Sequence, residues 1–355
     1  MIKLILNKVL LFSIAVSLLA TPVELLAAHK KTVSTKHRVS SHYRISSTKN
    51  GRHKVSLKLR ASNRLQAMRV NQHQFIINDS YDGSGVLQLA SSKALIINQT
   101  TGEVVFAKNT NLPSPIASIT KLMTAMVMLD AKLPFNEVLA ISDEDVDYLK
   151  GTSSRLAVGS KLSRGEFLQL ALMSSENRAA SALGRNYPGG KYAFVKAMNA
   201  KALELGMANS RFVDPTGLDS ENVSTAEDLA KMVQAAYEYP EIRSATTTAS
   251  REVYFDGRNY PINFNNTNGL VRGGEWDIGL SKTGFINEAG RCLVMQATIA
   301  GEPMIIVLLD SYGKLTRIGD ANRIRKWIEY NLEYNSEPKA TTTGQSHAVV
   351  IAKNP

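Results

Sequence analysis

Ser118 and Lys121 are the first candidate reactive pair in the sequence: a hydroxyl stands three positions before an amine. Residues three apart on a helix share one face, so this spacing places a hydroxyl beside an amine. Apolar residues at helical spacing predict a buried helix over 118–131. The positive end of a helix and partial burial both disfavour a protonated amine, which predicts a neutral Lys121 able to accept the Ser118 proton. The same Ser-x-x-Lys spacing recurs at 46–49 and 336–339, but in polar segments with no predicted helix.

A Ser-x-Asn triplet occurs twice, at Ser175–Asn177 and at Ser220–Asn222, and the motif alone does not separate the two. The first directly follows a helix predicted to end near Met173, whereas the second lies inside a long loop. A hydroxyl and an amide fixed by a helix end are better preorganised than a pair on a long loop. Ser175 and Asn177 are therefore the preferred pair.

A third motif, Lys282-Thr283-Gly284, lies on or beside a strand predicted over 278–283. Neighbouring side chains on a strand point to opposite faces. The glycine that follows them would let a substrate backbone lie against the strand edge. A lysine on a strand is usually a solvent-exposed charge at the sheet edge. This triplet therefore indicates a functional site only together with the other two motifs.

The positions of the histidines restrict the chemistry. All six lie at or before residue 73 or at residue 347, so the stretch 74–346 has none. This argues against a Ser-His-Asp triad, a Cys-His pair and a histidine-ligated catalytic zinc. The base for a nucleophile must then be a lysine, a carboxylate or an amine terminus. The single cysteine, Cys292, excludes an intramolecular disulfide and is predicted to be a packed thiol.

The elements that must position these residues predict an α+β domain. Strands near both ends of the folded region, with helices between them, favour one antiparallel sheet with helices packed on one side. Capping boxes at Ser163–Glu166 and Ser224–Glu227 predict two helix starts. The predicted hairpins cover 93–107 and 253–264, the further strands 278–283, 291–299 and 304–309, and the helices 118–131, 163–172, 190–205, 224–237 and 317–332.

Residues 1–28 are typical of a secretory signal peptide, with a basic start, an apolar run and small residues at its end. A membrane anchor would need roughly 20 consecutive apolar residues, and Pro22 and Glu24 interrupt this run too early. No later segment is apolar enough to span a membrane. The sequence therefore predicts an exported protein that does not cross the membrane.

The formal net charge of +11 comes from the N-terminal part of the chain. Residues 29–72 contain 12 Lys or Arg and no Asp or Glu, while residues 73–355 have a net charge of −2. The composition of 29–72 predicts a disordered, solvated linker, with electrostatic contact to an anionic wall or membrane surface as the sharper alternative. A nearly neutral folded part in an exported protein argues against a nucleic-acid partner.

The three motifs in this order resemble the signature of penicillin-binding proteins and serine β-lactamases. The chain is most similar to the low-molecular-mass D-Ala-D-Ala peptidases, in the endopeptidase branch of the penicillin-binding protein 7 type. The residues that carry this resemblance are the runs 115–127, 174–180, 214–218, 224–226, 266–268 and 280–294. The resemblance implies a transpeptidase-like fold over 73–335, in which a five-stranded antiparallel sheet packs on a helical cluster, followed by a polar tail at 336–355.

The resemblance also implies catalytic roles. Ser118 attacks the carbonyl of a D-alanyl residue, and neutral Lys121 accepts its proton. Ser175 passes a proton to the departing amine, and Asn177 orients the substrate amide and holds Lys121. The backbone N–H groups of Ser118 and Phe285 form the oxyanion hole. No metal and no organic cofactor is implied.

On the binding side, Lys282, Thr283, Gly284 and Phe285 are implied to contact substrate, with Lys282 and Thr283 on its carboxylate. The implied substrate is the D-alanyl–diaminopimelyl cross-link of periplasmic peptidoglycan, and β-lactams are the implied inhibitors. The positive charge of Lys282 is also expected to disfavour charge on Lys121.

Two departures from the family's carboxypeptidases favour the endopeptidase branch. Glu176 replaces a typical glycine, and Ile286 replaces a common threonine. The alternatives are a D-Ala-D-Ala carboxypeptidase, a β-lactamase and a non-hydrolysing penicillin-binding sensor. A β-lactamase needs a carboxylate that activates the deacylating water, and the sequence marks none; a sensor needs a membrane segment, and none is predicted.

Overall fold

A five-stranded antiparallel sheet lies at the centre of this computed structural model, which describes residues 83–336. The first two strands of the chain pair with each other, and the first of them also pairs with the last strand, although some 200 residues separate those two in sequence. The five strands, in spatial order, are β2 (Val104–Lys108), β1 (Ser91–Asn98), β11 (Glu302–Ser311), β10 (Gly290–Ile299) and β9 (Asp277–Ile286). The predicted α+β class and the antiparallel sheet are confirmed.

Three small two-stranded ladders lie outside this sheet. They pair short segments of the loops that connect the helices. The ladders are β3 (Ser114–Pro115) with β6 (Val223–Ser224), β4 (Val138–Ala140) with β5 (Lys161–Ser163), and β7 (Ser250–Val253) with β8 (Ile262–Asn265). The predicted hairpin at 253–264 is therefore present, but eight residues separate its strands instead of a two-residue Asp-Gly turn.

Eight α-helices are described. They are α1 (Thr120–Asp130), α2 (Arg164–Met173), α3 (Asn177–Arg185), α4 (Gly190–Glu204), α5 (Ala226–Tyr237), α6 (Pro240–Thr247), α7 (Gly269–Gly273) and α8 (Thr316–Ser336). Three of them, α3, α6 and α7, were not predicted. Two of these three are of eight residues or fewer, which is too short to show a clear helical period, and α3 begins inside a motif.

Helices cover both faces of the sheet, contrary to the expectation that they gather on one side. Leu95, Val294 and Val307 face the large core around α1 to α6. The alternate positions face α8, whose Ile324 and Ile328 are buried there. Since β10 is covered on both faces, its middle residues 292–295 are all apolar and give no sign of which face is inner.

The start of α5 also corrects a prediction. Thr225, not Ser224, is the N-cap, and its hydroxyl accepts a hydrogen bond from the backbone N–H of Asp228 at 3.1 Å. Ser224 pairs with Ser114 in the β3–β6 ladder, so it is still extended. The other predicted capping box is confirmed. The Ser163 side chain accepts a hydrogen bond from the backbone N–H of Glu166, and the Glu166 carboxylate accepts one from the backbone N–H of Ser163.

The residues predicted as signal peptide (1–28), linker (29–72) and tail (337–355) lie outside the described residues, and Ser336 still belongs to α8. Within residues 83–336, no helix is both long enough and apolar enough to cross a membrane.

The loop that follows α4 packs its backbone directly on the turn before α1, and Gly217 makes this possible. Gly217 has φ +80°, and a Cβ there would overlap the carbonyl oxygen of Ala117. We therefore expect Gly217→Ala to lower the free energy of unfolding by about 2–4 kcal/mol, measured by denaturant titration.

The matched control for this prediction is Gly206→Ala. Gly206 also has a left-handed φ of +68°, but nothing lies within 4 Å of its added Cβ. Gly206→Ala should lower the free energy of unfolding by only about 1–2 kcal/mol, which is the cost of placing a non-glycine residue in the left-handed conformation. Equal losses in the two variants would contradict the packing argument.

Candidate active site

Ser118 lies in a short 3₁₀ turn, Ala117–Ile119, that leads directly into α1. The preceding residue, Ala117, is fully buried and has φ +48°, a conformation that costs a non-glycine residue free energy. The turn is held from outside, since the backbone N–H of Ile116 donates to the carbonyl of Asn222 at 3.0 Å. The predicted nucleophile is thus half-buried at the start of a helix, in a backbone that its surroundings force into place.

Lys121 is fully buried, and its amine contacts three acceptors. Its Nζ lies 2.7 Å from Ser118 Oγ, 2.8 Å from Asn177 Oδ1 and 2.7 Å from the carbonyl oxygen of Thr216. Within the described residues it forms no ion pair. The three-residue spacing predicted from the sequence therefore places hydroxyl and amine in direct contact.

The Thr216 carbonyl belongs to a loop that the buried carboxylate of Asp214 organises. Asp214 accepts hydrogen bonds from the backbone N–H groups of Thr216, Gly217 and Asp219 and from the Asn222 side chain. In the sequence this run contributes to the family resemblance, but no role is predicted for Asp214. Asp-Pro-Thr-Gly is a turn pattern, which could have pointed to a tightly folded loop.

Of the two Ser-x-Asn triplets, only 175–177 lies at this site. Asn177 begins α3, and besides accepting from Lys121 it donates from Nδ2 to Thr152 Oγ1 at 3.0 Å. Ser175 has φ +60°, a second strained position next to the reacting groups. Asn222, in contrast, is buried against Asp214 and serves the loop itself.

The third motif lies on β9, which is the edge strand of the sheet. Lys282 is buried and donates from Nζ to Ser175 Oγ at 2.9 Å, which joins the second and third motifs. Thr283 Oγ1 donates to Thr267 Oγ1 at 2.6 Å. Thr267 was not assigned a role from the sequence. The two lysines and the two serines of the three motifs thus form one cluster.

The structure requires glycine at position 284 for a reason other than the substrate contact inferred from the sequence. A Cβ there would lie 2.9 Å from the carbonyl oxygen of Ile116 and 3.2 Å from the backbone nitrogen of Ser118. The glycine therefore lets β9 approach the protein's own backbone beside the serine. This contact fixes the strand edge relative to Ser118.

Phe285 and two arginines extend the site beyond the motifs. The Phe285 side chain is half exposed, and the guanidinium of Arg291 stacks 4.4 Å from its ring centre. Arg317, near the start of α8, donates to the Gly284 carbonyl over a long 3.4 Å, and its buried Nε has no partner. Among residues 83–336 it pairs with no carboxylate. Sequence reasoning missed Arg317, because nothing in its surroundings marks it.

Burial lowers the pKa of Lys121 to about 7, against the opposing effect of the negative charges of Asp214 and Glu176. The amine is therefore largely neutral just above neutral pH, as a general base requires. Burial, followed by the nearby charges of Lys121 and Arg317, holds the pKa of Lys282 well below its usual value. The two lysines thus influence each other in the direction opposite to the one expected: the charge of Lys121 lowers the pKa of Lys282, whereas burial alone lowers the pKa of Lys121.

This arrangement can activate a hydroxyl by transferring its proton to a neutral amine. Within the described residues, no group of three or more His, Cys, Asp and Glu side chains is placed to hold a metal ion.

Cys292 is fully buried, which confirms the predicted packed thiol, and burial raises its pKa to about 11.

The fold and the serine–lysine pair define a class: active-site-serine peptidases built on an α+β sheet. Residues 80–313 match the peptidase S11 family, described as D-alanyl-D-alanine carboxypeptidase, and the chain belongs to this family. The membership predicted from the three motifs is thus confirmed.

The chain is similar in sequence to two curated relatives and in structure to a solved protein. The D-alanyl-D-alanine endopeptidases of Pseudomonas aeruginosa and Escherichia coli K12 are 54% and 50% identical over 242 residues, which are 68% of this chain and 78% of each relative. The DD-transpeptidase of Streptomyces K15 superposes with a TM-score of 0.64 at 28% identity, over 69% of this chain and 98% of that one.

We expect Gly284→Ala to reduce acylation of Ser118 by penicillin about 100-fold or more, because the added methyl pushes β9 away from the serine. The measurement is the second-order acylation rate with a fluorescent penicillin. Gly273→Ala, where the added Cβ meets nothing within 4 Å, is the control and should acylate normally. A Gly284→Ala protein with an unchanged rate would show that the close approach is unimportant.

Proposed function

We propose that this protein is a periplasmic serine D,D-endopeptidase that hydrolyses D-alanyl–diaminopimelyl cross-links of peptidoglycan through an acyl-enzyme. The observation that carries the proposal is the buried Lys121 amine, 2.7 Å from Ser118 Oγ and with a pKa of about 7. The names of the two relatives at 54% and 50% identity support the endopeptidase specificity. Residues 1–28 act as the export signal in this proposal, and 29–72 as a basic linker toward the anionic wall.

In the acylation step, Lys121 takes the hydroxyl proton as Ser118 Oγ forms a bond to the D-alanyl carbonyl carbon. The negative charge moves to the carbonyl oxygen, where the backbone N–H groups of Ser118 and Phe285 stabilise it. Removing one such donor typically costs about 3 kcal/mol of transition-state stabilisation. The contact of Gly284 with Ser118 N supports this assignment, because it brings the two donors to one place.

The bond to the leaving amine then breaks, and the amine needs a proton. Lys121 holds that proton, and Ser175 passes it on in the proposal. Ser175 is joined to the site through Lys282, at 2.9 Å from its Nζ. Water afterwards attacks the ester, gives its proton to Lys121, and restores the Ser118 hydroxyl.

The substrate carboxylate is proposed to bind Lys282, Thr283 and Arg317. A carboxylate at this place would be a negatively charged partner for the buried amine of Lys282, and a hydrogen-bond acceptor for the buried Nε of Arg317. The free edge of β9 can pair with an extended peptide, which places the scissile bond beside Ser118. β-Lactams carry a similar carboxylate beside a strained amide and should acylate Ser118.

We expect Ser118→Ala to abolish cleavage of cross-linked muropeptide dimers, measured by mass spectrometry of the products. Ser220→Ala, in the rejected triplet, should cleave as the unaltered protein does. A Ser118→Ala protein that still cleaves dimers contradicts the nucleophile assignment. Preferred release of D-alanine from pentapeptide monomers by the unaltered protein would instead favour the carboxypeptidase alternative.

The pKa of Lys121 predicts the pH dependence of acylation. Lys121 accepts a proton only when neutral, so the second-order rate with penicillin should rise with pH through about 7 and level off above it. At pH 5 the rate should be about 100-fold below the plateau. Lys191→Ala, an exposed lysine on α4, should leave the midpoint unchanged. A flat profile from pH 5 to 9 would exclude Lys121 as the base.

A further inference from the structure

Glu176 is the middle residue of the second motif, and its side chain has an unusual environment. The carboxylate is only 6% exposed, although it belongs to a charged residue beside the reacting groups. It accepts hydrogen bonds from Ser154 Oγ at 2.6 Å and from Arg155 Nε at 3.0 Å. A buried carboxylate is retained only with such partners, so this contact fixes the two chain segments to each other.

The partner segment, 147–155, has no helix or strand of its own, so side-chain contacts set its position. One is the exposed ion pair between Lys150 and Glu288 of the β9–β10 turn. A second is the hydrogen bond between Thr152 and Asn177. The third, at Glu176, is the buried one. An exposed ion pair contributes little, so the buried Glu176 contact and the contacts of Arg155 with β8 are the stronger restraints.

Thr152 connects this segment to the chemistry. Its hydroxyl donates to Asp147 Oδ2 at 2.6 Å, which leaves its oxygen as the acceptor for Asn177 Nδ2 at 3.0 Å. The amide oxygen of Asn177 then faces Lys121 Nζ at 2.8 Å. If the segment moved, the Asn177 amide would lose the partner that keeps its oxygen toward the lysine.

Arg155 anchors Glu176 to the rest of the fold and shields its charge. The Arg155 guanidinium donates to the Asn263 carbonyl at 3.0 Å and stacks 4.2 Å from the ring centre of Phe264, both on β8. It is a member of an ion pair with the Glu176 carboxylate. The pair therefore links α3, the 147–155 segment and β8 in one place.

We propose that Glu176 is a positioning residue for acylation: through Arg155 and Ser154 it holds segment 147–155 so that Thr152 orients Asn177 toward Lys121. The proposal rests on the proposed function of Ser118 and Lys121. It gives a role to the residue that replaces the glycine typical of the family's carboxypeptidases. Glu176 touches no reacting atom in this proposal and acts through its neighbours.

The charge of Glu176 gives the proposal a second, independent consequence. The groups that face Lys121 electrostatically are the carboxylates of Asp214 and Glu176, which raise its pKa, and the amine of Lys282, whose own pKa the Lys121 charge lowers. Arg155 compensates the Glu176 charge. Removing Glu176 should therefore lower the pKa of Lys121, and removing only Arg155 should raise it.

The experiment measures the pH profile of penicillin acylation for the full-length protein and four variants. Glu176→Gln should lower the plateau rate about tenfold and shift the midpoint down by about 0.5–1 pH unit. Arg155→Met keeps an apolar chain against Phe264 but removes the charge and the hydrogen bonds of the guanidinium, so its plateau should also fall, with the midpoint shifted up. Arg155→Lys restores the charge and should restore the midpoint. Glu288→Gln removes the exposed ion pair of the same segment and should leave the midpoint unchanged.

Midpoint shifts of opposite sign in Glu176→Gln and Arg155→Met, with lower plateaus in both, support the proposal. A Glu176→Gln profile equal to that of the unaltered protein, or shifts of the same sign in both variants, overturns it. If Glu176→Gln does not fold, as judged by circular dichroism, the comparison of Arg155→Met with Arg155→Lys decides alone. Failure of the unaltered protein to react with penicillin would instead contradict the proposed function.

Discussion

Removing the Lys121 amine from water disfavours its charged form, and the rest of the site depends on this burial. The amine keeps its place because three acceptors from three different parts of the chain surround it: Ser118, Asn177 and the Thr216 carbonyl. Each acceptor belongs to a segment that is itself held by packed elements. Without the burial the lysine would be an ordinary cation near pH 7, and the serine hydroxyl would have no base.

The second buried lysine makes the protonation of the site dependent on what binds there. Lys121 and Lys282 repel each other, and burial disfavours the charge on both. In the proposed complex, a substrate carboxylate beside Lys282 and Arg317 would stabilise a proton on Lys282. The same proton then disfavours charge on Lys121, so a ligand with a carboxylate leaves the base neutral. In the proposed reaction, recognition of the substrate and activation of the serine are thus one electrostatic event.

Much of the fold, and the contact between Ser118 and Lys121 at the site, could be predicted from the sequence. The spacing of Ser118 and Lys121 indicated their contact because helix geometry is local. The strands were predictable from short apolar runs, and the sheet class from their order along the chain. In contrast, α8 lies on the face opposite α1 to α6, which no local pattern indicates, since the middle of β10 is apolar on both faces. The choice of Thr225 over Ser224 as a helix cap likewise depended on a distant ladder partner.

The features of the site that the sequence does not indicate share a physical cause: they depend on where backbone groups lie in the folded chain. Asp214 acts by turning its carboxylate inward to backbone N–H groups of its own loop, and Thr216 contributes only a carbonyl, which any residue type has. Ala117 and Ser175 occupy left-handed conformations that nothing in their side chains favours, at a cost of about 1–3 kcal/mol each. Such conformations persist only where surrounding packing determines them, as the Gly217 and Gly284 contacts do beside Ser118. The glycines that permit close approach are therefore as much a part of the site as the side chains that react.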